Sequence, residues 1–155
     1  MCMYAPPGCG DCDVLLACFD PAHRIALIRP GMPGDGRPPA LPAIRHRTGE
    51  PYGKAAARLA RAMAPAGALR FGKVTGRIPA AERGSAAQQR ADRRLFTAHV
   101  PAPGDLHPPC GGAQLVWLPS GEAAAQVTHL AIADLDAFLE GYVEGWIPDG
   151  WITLG

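Results

Sequence analysis

The chain has 155 residues, of which 48% are hydrophobic and 19% charged, and its formal net charge is +1. That is the size of one ordinary domain with a proper core, and the near-neutral balance does not imply generic electrostatic binding to nucleic acid or an anionic membrane. Mean hydropathy is near zero and no apolar run approaches the ~18 residues that a membrane-spanning helix needs.

Residues 1–13 are rich in Gly, Pro, Cys and Asp and read as coil. They hold no basic region followed by an apolar one, so no signal peptide is expected and a cytoplasmic location is. The 19 glycines and 17 prolines sit between apolar runs and mark loops. Lys54 and Lys73 are the only lysines among 15 basic residues, the bias of a GC-rich bacterial genome.

Val14 to Phe19 is a continuous apolar run, the pattern of a strand buried on both faces. A turn at residues 20–23 leads to a second strand at 24–28, and the pair reads as a hairpin. Residues 30–40 are too rich in Pro and Gly for regular structure. A short extended piece follows at 41–44. A helix is expected to open around Thr48-Gly49-Glu50-Pro51, with Pro51 in its first turn, and to run to about Ala64. Strands are predicted at 69–74, with 77–78 as an extension, at 94–100 and at 114–118. Residues 80–91 read as a polar loop and 101–112 as a Pro/Gly loop. Residues 129–132 read as extended. Leu135, Phe138, Leu139, Tyr142 and Val143 give helical spacing over 133–146, and the tail ends in a turn at 147–150. No internal repeat or interdomain linker is visible.

This order, together with residues 41–67, resembles the Nudix superfamily. The signature of that family is a glycine, five residues, Glu, seven residues, then Arg-Glu-apolar-x-Glu-Glu-x-Gly. Here Leu41-Pro42 stands where the family often has Leu-Pro, Gly49-Glu50 matches its Gly-Glu, and seven residues separate Glu50 from Arg58. The resemblance implies a Nudix-like α/β/α sandwich with a mixed sheet, as a single domain over 14–155 after an N-terminal coil at 1–13. Other signature positions depart from the family. Ile44 replaces the glycine, Leu59 replaces the first helix Glu, and Ala62-Met63 replaces the Glu-Glu pair. In the family those carboxylates bind divalent metal, usually magnesium, which supports attack by water on a diphosphate. Magnesium is a hard ion that takes oxygen ligands, and residues 51–81 contain no Asp or Glu. A magnesium cofactor is therefore not expected.

Two readings stand beside each other for the retained pair. Glu50 and Arg58 form either a structural ion pair or a catalytic couple, with Glu50 raised in pKa as an acid/base group. Leu59 and Met63 lie one turn apart, on a stripe shared with Tyr52 and Ala56. They serve either as core or as the apolar wall of a ligand pocket. His46, Arg90 and Arg94 are candidate contacts for an anionic ligand, the alternative being solvated surface. Cys18 is expected in the core, and Trp146, Trp151 and Tyr142 cover the core or a homodimer contact.

Five cysteines, an odd number, argue against a disulfide framework. Cys9-Gly10-Asp11-Cys12 and His107-Pro108-Pro109-Cys110 are two short chelating turns. Together, Cys9, Cys12, His107 and Cys110 have the composition of a closed, structural zinc site. The halves would meet if the strands that follow them run the same way at one end of the sheet. The alternative is a set of free thiols and a loop histidine. These features lead to a diverged enzyme of this superfamily acting on a small molecule, a nucleotide or specialised metabolite. The alternatives are a non-catalytic ligand-binding or regulatory module and, third, an ordinary magnesium-dependent hydrolase of nucleoside-diphosphate derivatives.

Overall fold

The computed structural model describes residues 12–29, 36–80, 92–109 and 111–154. Seven strands form one sheet: β1 (Val14–Phe19), β2 (Arg24–Arg29), β3 (Ala43–Ile44), β4 (Arg70–Ile78), β5 (Arg93–His99), β6 (Gln114–Pro119) and β7 (Gly150–Thr153). Among the described residues, three α-helices accompany it: α1 (Tyr52–Met63), α2 (Ser120–Gln126) and α3 (Leu135–Glu144). The strand order is β6-β2-β1-β5-β4-β7, with β3 paired to β1. β1 runs parallel to β5, and β4 to β7; the other pairs are antiparallel. The sheet is thus mixed, as expected.

The unbroken apolar run of β1 follows from its central place. Leu15, Ala17 and Phe19 enter one core with Phe138 and Leu139 of α3. Val14, Leu16 and Cys18 enter a second core with Ala55, Leu59 and Met63 of α1. Alternate side chains of a strand point to opposite faces, so a strand covered on both sides must be apolar throughout. Burial pushes the Cys18 thiol far up, and it is inert. The layers are α1, sheet, and the pair α2 and α3: one α/β/α sandwich.

Two local expectations are corrected, and two further elements, α2 and β7, had not been expected. β4 is one nine-residue strand, with a register shift between Phe71 and Thr75. Residues 129–132 are not extended. Thr128–Leu130 is a 3-10 turn that ends on Ala131 in the left-handed region, φ 52°. The buried side chain of Arg93 holds this reversal by donating to the carbonyls of Leu130, at 2.6 Å, and Ala131, at 3.1 Å. α2 has only Ala123 buried, so it shows no apolar period. β7 contains a Trp-Ile-Thr run that favours strands, yet it is a strand because β4 offers it an edge. The loop read at 80–91 falls almost wholly outside the described residues.

Candidate functional site at the first turn of α1

The loop before α1 folds on itself through local hydrogen bonds. Gly49 has φ 78°, a left-handed conformation that favours glycine. This reverses the chain so that the Glu50 N–H donates to the Arg47 carbonyl at 2.9 Å, while the Arg47 N–H donates to Glu50 Oε1 at 3.0 Å. Arg58, two turns into α1, reaches back. Its Nη2 donates to Glu50 Oε1 at 2.9 Å and to the Arg45 carbonyl at 3.0 Å, and its Nε donates to Glu50 Oε2 at 3.3 Å. One guanidinium therefore pins the whole 45–50 loop onto the helix.

That geometry corrects the expectation of a raised Glu50 pKa. The hydrogen bond from Arg58, followed by that from the Arg47 N–H, holds the carboxyl down at about 2. Glu50 is an anion throughout the physiological range, and its two oxygens are engaged by Arg58 and Arg47. The arrangement is a closed ion pair.

The face of α1 that carries the family's carboxylates is apolar here. Leu59 and Met63 are fully buried and Leu106 nearly so, all in one core cluster. The loop after β5 closes over this end of the helix, and the His107 N–H donates to the Met63 carbonyl at 2.7 Å. These residues supply no oxygen side chains and do not fit magnesium. Asp92, an acid from outside the helix, is taken by Arg77 at 2.8 Å and by the Ala80 N–H at 2.8 Å.

His46 and Arg94, predicted separately, are brought together by a residue between them. The His46 ring packs on Tyr52, the first residue of α1, with centroids 4.7 Å apart. The Arg94 guanidinium lies over the same Tyr52 ring, 4.7 Å from its centroid, and 5.4 Å from the ring of Trp151 in β7. Asp13, just before β1, anchors the group. Its Oδ1 accepts the His46 N–H at 2.9 Å and its Oδ2 bonds His46 Nδ1. Asp13 is buried, and its own carbonyl accepts the Arg94 N–H at 2.8 Å. The carboxylate thus fixes the orientation of the imidazole and leaves Nε2 as the distal nitrogen. Trp151 is 65% exposed, so an aromatic face beside an arginine opens to solvent. Asp13, Tyr52 and Trp151 were not among the sequence-predicted site residues. Their signals were a lone Asp in a coil, a helix stripe and a tail aromatic.

Arg90, Cys9 and Cys110 lie outside the described residues. β1 and β6 flank β2 and run in the same direction, as the zinc expectation required. Cys12 is buried next to Asp13, at the first-turn end of α1. His107 is held at the last turn, about 18 Å away along a twelve-residue helix. Among the described residues, no group of three or more His, Cys, Asp or Glu could hold a metal ion.

No family's sequence model matches this chain, and no curated protein matches it in sequence. Solved structures do match in shape. A C. elegans Ap4A hydrolase in a binary complex superposes with a TM-score of 0.60 at 14% identity, over 85% of this chain and 98% of that one. The E. coli dihydroneopterin triphosphate pyrophosphohydrolase gives 0.59 at 16% identity, over 85% and 94%. A Nudix hydrolase from M. smegmatis, RenU, gives 0.56 at 22% identity, over 88% and 85%. The chain has a Nudix-like fold. At these identities the likeness concerns architecture, and the function of this Nudix-like chain has to be argued from its site.

Proposed function

We propose that this Nudix-like chain is a diverged enzyme that acts on a small anionic molecule with a planar portion, of the nucleotide type, without a magnesium cluster. The observation that carries the reading is the Asp13–His46 pair set against Tyr52, with Arg94 between Tyr52 and Trp151. The exposed Trp151 face suits stacking of a planar ring. Arg94 places one N–H on the Arg93 carbonyl at 3.2 Å and carries further donors for a phosphate or carboxylate. His46, oriented by Asp13, is the group able to move a proton at Nε2. Glu50 and Arg58 act by positioning the loop that holds His46.

The test is a panel of nucleoside di- and triphosphates, examined by calorimetry for binding and by product analysis for turnover. Arg94→Ala is expected to weaken binding at least about tenfold, the loss of a charge-assisted hydrogen bond. His46→Asn is expected to reduce turnover about 10²-fold or more and to spare affinity. Full turnover by His46→Asn would remove His46 from the chemistry. The closed Glu50–Arg58 pair favours a second reading, a non-catalytic ligand-binding module. Under that reading binding depends on Arg94 and no member of the panel is turned over.

A further inference from the structure

At the opposite end of the sheet, three paired residues from three strands form a row. Phe19 of β1 lies beside His99 of β5, which lies beside Arg70 of β4. Paired residues share a face, so all three point toward α3. Tyr142 of α3 meets the row, with its hydroxyl 2.5 Å from His99 Nε2. The His99 ring also stacks on Phe19 at 5.6 Å. Space for the tyrosine exists because residue 72 is glycine: a Cβ there would overlap the Tyr142 hydroxyl and Thr97 Oγ1. The row borders a cleft of about 550 Å³, lined also by His23, Pro21, Val100 and Pro101. That volume is in the range of small-molecule sites.

The charge balance of the cleft is positive. Asp20, the acid on its wall, is buried and spent. Its Oδ1 accepts the N–H groups of Ala22 and Arg24, and its Oδ2 the Arg24 guanidinium at 2.7 Å. Arg70 remains on the rim as a cation, with the His23 and His99 imidazoles also lining the cleft. We propose that this cleft binds a small organic oxyanion, a carboxylate or a phosphate ester, seated between Arg70 and His99 with its body against Pro21, Val100 and Pro101. This site is five strand residues, about 17 Å, from the Arg94 cluster, and is independent of it.

The state of His99 gives the site a signature. Burial, then the neighbouring His23, holds its pKa below the ordinary imidazole value. The groups facing it are His23, the Asp20–Arg24 pair, Arg70 and the Tyr142 hydroxyl. A bound oxyanion favours the imidazolium, so binding and protonation of His99 must strengthen one another.

Histidine-ring NMR titrations of the whole protein read this directly. They would use inorganic phosphate, phenyl phosphate and benzoate at matched ionic strength. At least one probe is expected to raise the His99 midpoint saturably. Phosphate probes doing so identify the phosphate arm, and benzoate alone the carboxylate arm. Arg70→Ala should weaken that binding at least about tenfold, Arg70→Lys should restore part of it, and Arg94→Ala should leave it intact. A His99 midpoint indifferent to all three probes, or a shift undiminished in Arg70→Ala, would overturn the proposal.

Discussion

The two ends of the sheet were unequally visible in the sequence. At the first-turn end of α1, Gly49, Glu50 and Arg58 lie within ten residues and in the spacing of a known signature, and they close into a compact knot. At the other end, Phe19, His99 and Arg70 come from three separate strands and line a cleft, with Tyr142 of α3 bonded to His99. The legible end is closed by ion pairing and hydrogen bonds. The illegible end has the open space. Retained motif residues report where a fold is held together as readily as where chemistry occurs.

The largest effect should come from undoing the apolar face of α1. Leu59→Glu restores the carboxylate that the family carries there, but places it at a fully buried position. Burial of an unpaired carboxylate costs several kcal/mol, and Leu59→Ala should cost about 2–5 kcal/mol. Urea denaturation measures both. A Leu59→Glu protein as stable as wild type would mean that this face is open, and the contrast between the two ends would fail.

Gly72→Ala tests the cleft end. Overlap with Tyr142 and Thr97 should cost about 1–3 kcal/mol. It should also separate Tyr142 from His99, which the His99 ring resonances would register. Unchanged stability together with unchanged resonances would show that Tyr142 does not depend on this glycine.

Acid titration distinguishes the ends more finely. The Glu50 carboxyl sits at about 2 in the folded chain, below its ordinary 4.5. Its stabilising contribution is therefore complete above pH 4.5 and is lost as the pH falls through about 2. Glu50→Gln should flatten this limb of the stability profile. His99, also lowered, contributes above its ordinary 6.5 and loses that contribution as the pH falls below it. His99→Asn should remove a shallow slope below pH 6.5 and leave the acid limb in place. A profile with the two effects exchanged would reverse the assignment.

The smallest expected effect concerns zinc. His107→Ala should leave the metal content of the purified protein unchanged by elemental analysis, because His107 stands at the far end of α1 from Cys12. A loss of about one zinc per chain on this substitution would place His107 with Cys9, Cys12 and Cys110 in the four-ligand site expected from the sequence.

The sequence by itself determined the alternation of strands and helices, the apolar central strand and the extent of α1. Each depends on periodicity or on residues a few turns apart, where the intervening chain has little freedom. It also determined that α1 carries no carboxylate. Only the tertiary structure decided that Glu50 is held as an anion by a closed ion pair. A Glu and an Arg eight residues apart are compatible with both a raised and a lowered pKa until burial and hydrogen bonds are set. Likewise, Asp13 reaches His46 across 33 residues, and His99 reaches Tyr142 across 43. Such contacts are fixed by strand order and register. Those come from packing two faces of one sheet at once, and no local pattern encodes them.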